Sequence, residues 1–120
     1  MKLNDERMMQ KAREALSLLG FYTFEDVMER IADGRMQSFH EEGAFIVTQI
    51  SNYPRKKVVD IVLVVGELQK IKWLEEEIMN FAKTVGAELV MASAGRKGWW
   101  NKSIRTEGWN DVASVYVKEP

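Results

Sequence analysis

The run Val58-Val59-Asp60-Ile61-Val62-Leu63-Val64-Val65 is apolar on both alternating faces except at Asp60. A strand with no wet face has to be covered on both sides by other elements. The run therefore predicts a central strand, in a sheet with layers above and below it. At 120 residues, a chain removes roughly two thirds of its unfolded surface from water on folding, which is enough for one core. One domain spanning 1–120 is expected, with no linker, repeat or low-complexity tract. There is no cysteine, which excludes disulfides, thiolate zinc sites and cysteine nucleophiles together and fits a reducing compartment.

The flanking pattern fills in the layers. Met8, Ala12, Ala15, Leu16 and Leu19 recur at helical spacing behind Asn4-Asp5, which predicts a helix from Asp5 to Leu19 closed by Gly20. Thr23 with Asp26 has the spacing of a capping box, and Phe24, Val27, Met28 and Ile31 form the apolar face of a second helix ended by Gly34. From there the period changes to two. Met36 to His40, Ala44 to Ile50 and Lys57 to Val65 read as antiparallel strands, with turns at Glu41-Glu42-Gly43 and Ser51 to Lys56. Ile71, Leu74, Ile78, Phe81, Ala82 and Val85 then line a long helix that stops at Gly86. Glu88 to Ala92 resumes an extended run after a short right-handed crossover. Beyond the turn Gly95-Arg96-Lys97-Gly98-Trp99-Trp100, a brief helix over Trp99 to Thr106 and a final strand over Val112 to Val117 complete the expected order.

Seventeen Lys plus Arg against eighteen Asp plus Glu give a formal charge of -1, so no net field draws a polyanion and nucleic acid is not an expected partner. No apolar run reaches the ~20 residues of a membrane helix, so no membrane association is expected either. His40 beside Glu41 and Glu42 is read as a solvated hairpin end rather than a metal ligand set, and no metal is expected.

Several short words, in order, carry a likeness to a known family. They are Thr23-Phe24-Glu25-Asp26-Val27 with Gly34 and Gln37, Val47-Thr48 with Ile50 and Tyr53-Pro54-Arg55, Gly66-Glu67-Leu68, Ala82-Lys83 with Gly86, and Gly95-Arg96 with Gly98-Trp99. With this order of elements, the chain resembles the GNAT superfamily of N-acetyltransferases, and more narrowly the small GNAT-like proteins of tailed bacteriophages. The resemblance implies an α/β (α+β) fold with a mixed central sheet flanked by helices and without the family's first strand. It also implies a phage or prophage origin, with a place in the virion or the host cytoplasm. The expected role is a non-catalytic, virion-associated or accessory binding and assembly module, whose partner is a phage structural protein, a host protein or another copy of itself. The alternative is an acetyl-CoA-dependent N-acetyltransferase, and a small-molecule binder using the same cleft stays open.

Each candidate site has a functional and a plain reading. Where active relatives link the fourth strand to the long helix through a glycine-rich turn that grips the coenzyme's pyrophosphate, this chain has Val65, Gly66, Glu67 and Leu68, followed by Gln69 and Lys70. The resemblance makes these the cofactor-binding positions, yet no glycine follows Gly66 until Gly86, and Glu67 sets a carboxylate near the phosphates. Glu67 otherwise reads as an acid that complements the dipole of a helix start. Asp60 matches the family's base position; its plain reading is an acid at the strand's wet end, paired with Lys56 or Lys57. The position of the family's general-acid tyrosine is Ile104, which cannot move a proton. Arg96, Trp100 and Trp109 are candidate interaction residues, with Trp100 and Trp109 forming an apolar surface if both are exposed near Tyr53. Trp99 is expected in the core.

Overall fold

The protein is described here by a computed structural model covering residues 6–92, 108–110, 112–113 and 115–120. The chain forms α1 (Glu6–Ser17), α2 (Phe24–Ala32), β1 (Gln37–Glu41), β2 (Ala44–Asn52), β3 (Lys57–Gly66), α3 (Leu68–Thr84) and β4 (Leu89–Ala92). The strands make one mixed sheet in the order β1-β2-β3-β4. Its first two pairings are antiparallel, and β4 runs parallel to β3.

Side-chain alternation divides this sheet between two cores. Phe45, Val47, Leu63 and Val65 face α1 and α2, packing on Met8, Ala12, Leu16, Phe24 and Val27. Ala44, Ile46 and Val59 face α3 and meet Ile71, Leu74, Ile78 and Ala82. The double coverage predicted for Val58–Val65 is thus the architecture itself. β3 changes phase midway: Val47 pairs with Leu63 and Thr48 with Ile61, which leaves Val62 as an extra residue. The bulge lets Val62 join the α1 and α2 side beside Leu63.

Local signals explain the helix ends. Thr23 Oγ1 accepts from the Asp26 amide at 3.0 Å, and the Asp26 carboxylate accepts from the Thr23 amide at 2.9 Å, so the expected capping box forms. That pairing of the carboxylate with the Thr23 amide and hydroxyl holds the Asp26 pKa below its ordinary value. Arg13 on α1 forks onto Glu25 on α2 at 2.8 and 2.6 Å, tying the two helices at the surface. Gly20 follows α1, with its amide on the Leu16 carbonyl.

The expected last strand departs from this picture. Among the described residues of 112–117, none lies in a strand, and Val112, Val115, Tyr116 and Val117 are exposed. The period-two apolar pattern favours a strand, but a strand needs a ladder partner, and propensity alone does not supply one. The brief helix expected over Trp99 to Thr106 lies outside the described residues.

Gly66 has a backbone reason to be glycine. Its φ is +130°, and a Cβ there would fall 2.5 Å from Ala44 Cα and onto the carbonyl oxygen of Gly43. Gly34, at φ +85°, has open space around the same position. Replacing Gly34 by Ala should therefore cost about 1 kcal/mol from left-handed backbone strain. Gly66→Ala should cost more than about 3 kcal/mol, because a backbone clash adds to the strain. Urea denaturation of both variants measures the difference.

Candidate functional site

The passage from β3 into α3 is a single residue. Gly66 ends the strand, Glu67 occupies the N-cap with extended backbone, and Leu68 is already helical. So short a link is possible because β3 is held from the side. The Glu67 amide donates to the Gly43 carbonyl at 2.9 Å, pinning the start of α3 to the β1–β2 turn. The Glu67 carboxylate lies over Gly43, in ordinary contact with where a Cβ would stand, and makes no capping bond to the helix. The sequence expectation that Glu67 complements the helix dipole is met in position, but its carboxylate turns toward the hairpin.

Two consequences follow for an anionic ligand. The amide of Glu67, the first donor that a phosphate would seek, is already used. The amides of Leu68, Gln69 and Lys70 remain without a side-chain cap, since intrahelical bonding begins with Ile71 donating to Glu67. They sit beside an open depression lined by Leu68, Gln69 and Lys72. Trp73 stands next along the helix, exposed, with the Lys70 ammonium 5.3 Å from its ring centroid. Sequence reasoning missed Trp73 and Lys72, although their spacing from Gln69 on one helix was visible. The Gly43–Glu67 bond left no trace in the sequence, because it depends on strand register.

Among the described residues at this depression, the groups that could serve a pyrophosphate are the three amides and Lys72. Where the family resemblance calls for a loop of bare amides, the described chain passes directly from strand to helix at Glu67.

Asp60 lies elsewhere, ~20 Å along β3 from Gly66 at strand spacing. It pairs across the sheet with Gln49 on β2 and Met91 on β4, so the three form one row. Alternation against Val59, which faces α3, places this row on the face of α1 and α2. Asp60 is half-buried. The expected pairing with Lys56 or Lys57 gives way to another arrangement, in which the Lys57 ammonium donates to the Val85 carbonyl at 3.0 Å. Burial pushes the Asp60 pKa up, and a hydrogen bond from the Gln49 side chain opposes that rise. A carboxyl so placed is easier to protonate than an exposed one, which is the property of a base. Ile104, the position that matches the general acid, lies outside the described residues.

β4 pairs with β3 only over Val58–Ile61, while β3 runs on to Gly66. Among the described residues its flank beyond Ile61 has no partner in β4. Trp109 is half-buried and donates from Nε1 to the Glu75 carboxylate on α3. It is thus fastened to the helix rather than freely exposed, while Tyr53 remains exposed. Arg96, Trp99 and Trp100 lie outside the described residues. Among the described residues no three histidine or carboxylate side chains gather to hold a metal, and no helix is long and apolar enough to cross a membrane.

The raised pKa of Asp60 fixes a pH dependence. The native state holds this proton more tightly than the unfolded chain, so stability falls as pH rises from ~3.9 through the native pKa. Asp60→Asn should therefore melt above the parent at neutral pH. The gap should close as pH drops to the ordinary aspartate range, measured by thermal melts across pH.

No protein-family model and no curated relative matches the sequence. Solved structures do match in shape. A point-mutant form of TTHA1254 from Thermus thermophilus aligns with TM-score 0.64 at 14% identity, covering 92% of each chain. The wild-type form aligns with TM-score 0.61 at 13% identity and the same coverage. A protein described as a probable acetyltransferase aligns with TM-score 0.64 at 11% identity, covering 95% of this chain and 92% of its own. The fold is a mixed α+β arrangement, a four-stranded mixed sheet flanked by helices, of the GNAT-like type.

Proposed function

We propose that this chain uses an acetyltransferase-type scaffold as a non-catalytic binding or assembly module, of phage or prophage origin and acting on a phage structural or host protein. The observation that carries this reading is the one-residue junction at Glu67, whose amide is taken by the Gly43 carbonyl. A pyrophosphate needs several converging amides, and here the fold spends the first of them on its own hairpin. The absence of a proton donor at Ile104 points the same way. On this reading acetyl-CoA is not a resident cofactor.

Two features favour the alternative, an acetyl-CoA-dependent N-acetyltransferase. The uncapped amides of Leu68, Gln69 and Lys70 open beside Lys72, and Asp60 has the raised pKa of a base. Thermal melting with acetyl-CoA separates the two. A ligand at a hundred times its dissociation constant stabilises by about 2.7 kcal/mol. The module reading expects no rise in Tm at millimolar acetyl-CoA, together with co-sedimentation on phage particles. A rise in Tm that disappears in Lys72→Glu overturns it in favour of the transferase.

A further inference from the structure

The β2–β3 turn carries charges that the domain itself does not answer. β2 ends at Asn52 and β3 starts at Lys57, so the tip is Tyr53-Pro54-Arg55-Lys56, and all of it is exposed. The Tyr53 amide donates to the Lys56 carbonyl at 2.9 Å, and the Pro54 ring fixes a φ within the turn, so its shape is set before anything binds. The other described arginines are engaged. Arg13 forks onto Glu25, Arg35 pairs with Asp33, Arg30 lies 5.1 Å from the Tyr22 ring centroid, and Arg7 has a partner as well. Lys57, next to the tip, turns its ammonium inward to the Val85 carbonyl. Among the described residues, the Arg55 guanidinium and the Lys56 ammonium have no hydrogen bond, ion pair or ring contact.

We propose that this tip docks an acidic peptide segment of a partner protein. A guanidinium with no internal partner keeps its paired N–H edges for a carboxylate, and the neighbouring ammonium adds a second point charge beside it. Exposed ion pairs are individually weak, so the segment has to present adjacent carboxylates to both cations together.

The distribution of charge selects a peptide over a nucleic acid. With three of its cations in residues 55–57, a chain of formal charge -1 carries -4 over everything else. A short acidic segment meets the tip within a Debye length of about 8 Å and little beyond it. A nucleic acid lays its phosphates along a longer track, which the negative remainder of the domain repels. The tip stands at the opposite end of β3 from Gly66 and Glu67, about 30 Å away at strand spacing. The proposal therefore holds whether or not that junction takes a coenzyme.

A fluorescein-labelled oligoglutamate peptide, read by fluorescence anisotropy, tests it. Wild-type protein should bind the peptide at low salt, with affinity falling as salt rises. Arg55→Gln combined with Lys56→Gln should weaken binding at least tenfold with an unchanged circular dichroism spectrum, because backbone atoms close the turn. Lys11→Gln combined with Lys118→Gln removes the same charge from exposed positions elsewhere and should leave the affinity within twofold. A wild type that does not bind, or an equal loss in the Lys11 and Lys118 variant, overturns the proposal. Tighter binding of a single-stranded oligonucleotide of the same charge overturns it in favour of nucleic acid. Melting with acetyl-CoA reports on the Glu67 junction alone, so the two proposals fail separately.

Discussion

The hydrogen bond from the Glu67 amide to the Gly43 carbonyl, made possible by the bare Cα of Gly66, is the constraint on which the rest of the fold depends. It joins the end of β3 to the β1–β2 turn at backbone contact distance. With that junction fixed, α3 leaves the sheet without a loop and lies directly over Ala44, Ile46 and Val59. The same contact removes a donor from the place where a phosphate-binding turn would stand.

The sheet divides its labour by parity. Neighbouring residues of β2 serve different cores, with Phe45 and Val47 on one and Ala44 and Ile46 on the other. The Val62 bulge resets that parity within β3, so Leu63 and Val65 stay on the α1 and α2 face while Ile61 and Val64 serve α3. Asp60 falls just before this reset, in the row with Gln49 and Met91. It is a polar residue placed where the two-sided apolar rule relaxes, at the margin nearest β4.

Much of this was legible in the amino-acid order. Elements bounded by strong local signals came through: the Thr23 and Asp26 box starts α2, the Ile71 to Val85 stripe is α3, and the doubly apolar Val58–Val65 run is central. The site was less legible because its decisive facts are non-local. Whether Glu67 faces a ligand or a hairpin depends on the register that brings Gly43 against Gly66. Asp60 was expected beside lysine, yet Lys57 is drawn to Val85 by the return of the chain after α3. Likewise the valines of 112–117 announce a strand without saying what it pairs with.

That return also sets the span of the sheet's parallel pairing. The Lys57 carbonyl accepts from the Glu88 amide at 2.9 Å while its ammonium holds the Val85 carbonyl, so one residue clasps both ends of the turn leading into β4. The two antiparallel hairpins close over short spans, whereas this clasp closes over the whole length of α3. Among the described strands, β4 is accordingly the one whose pairing closes the longest loop, because α3 rather than a tight turn lies between it and β3.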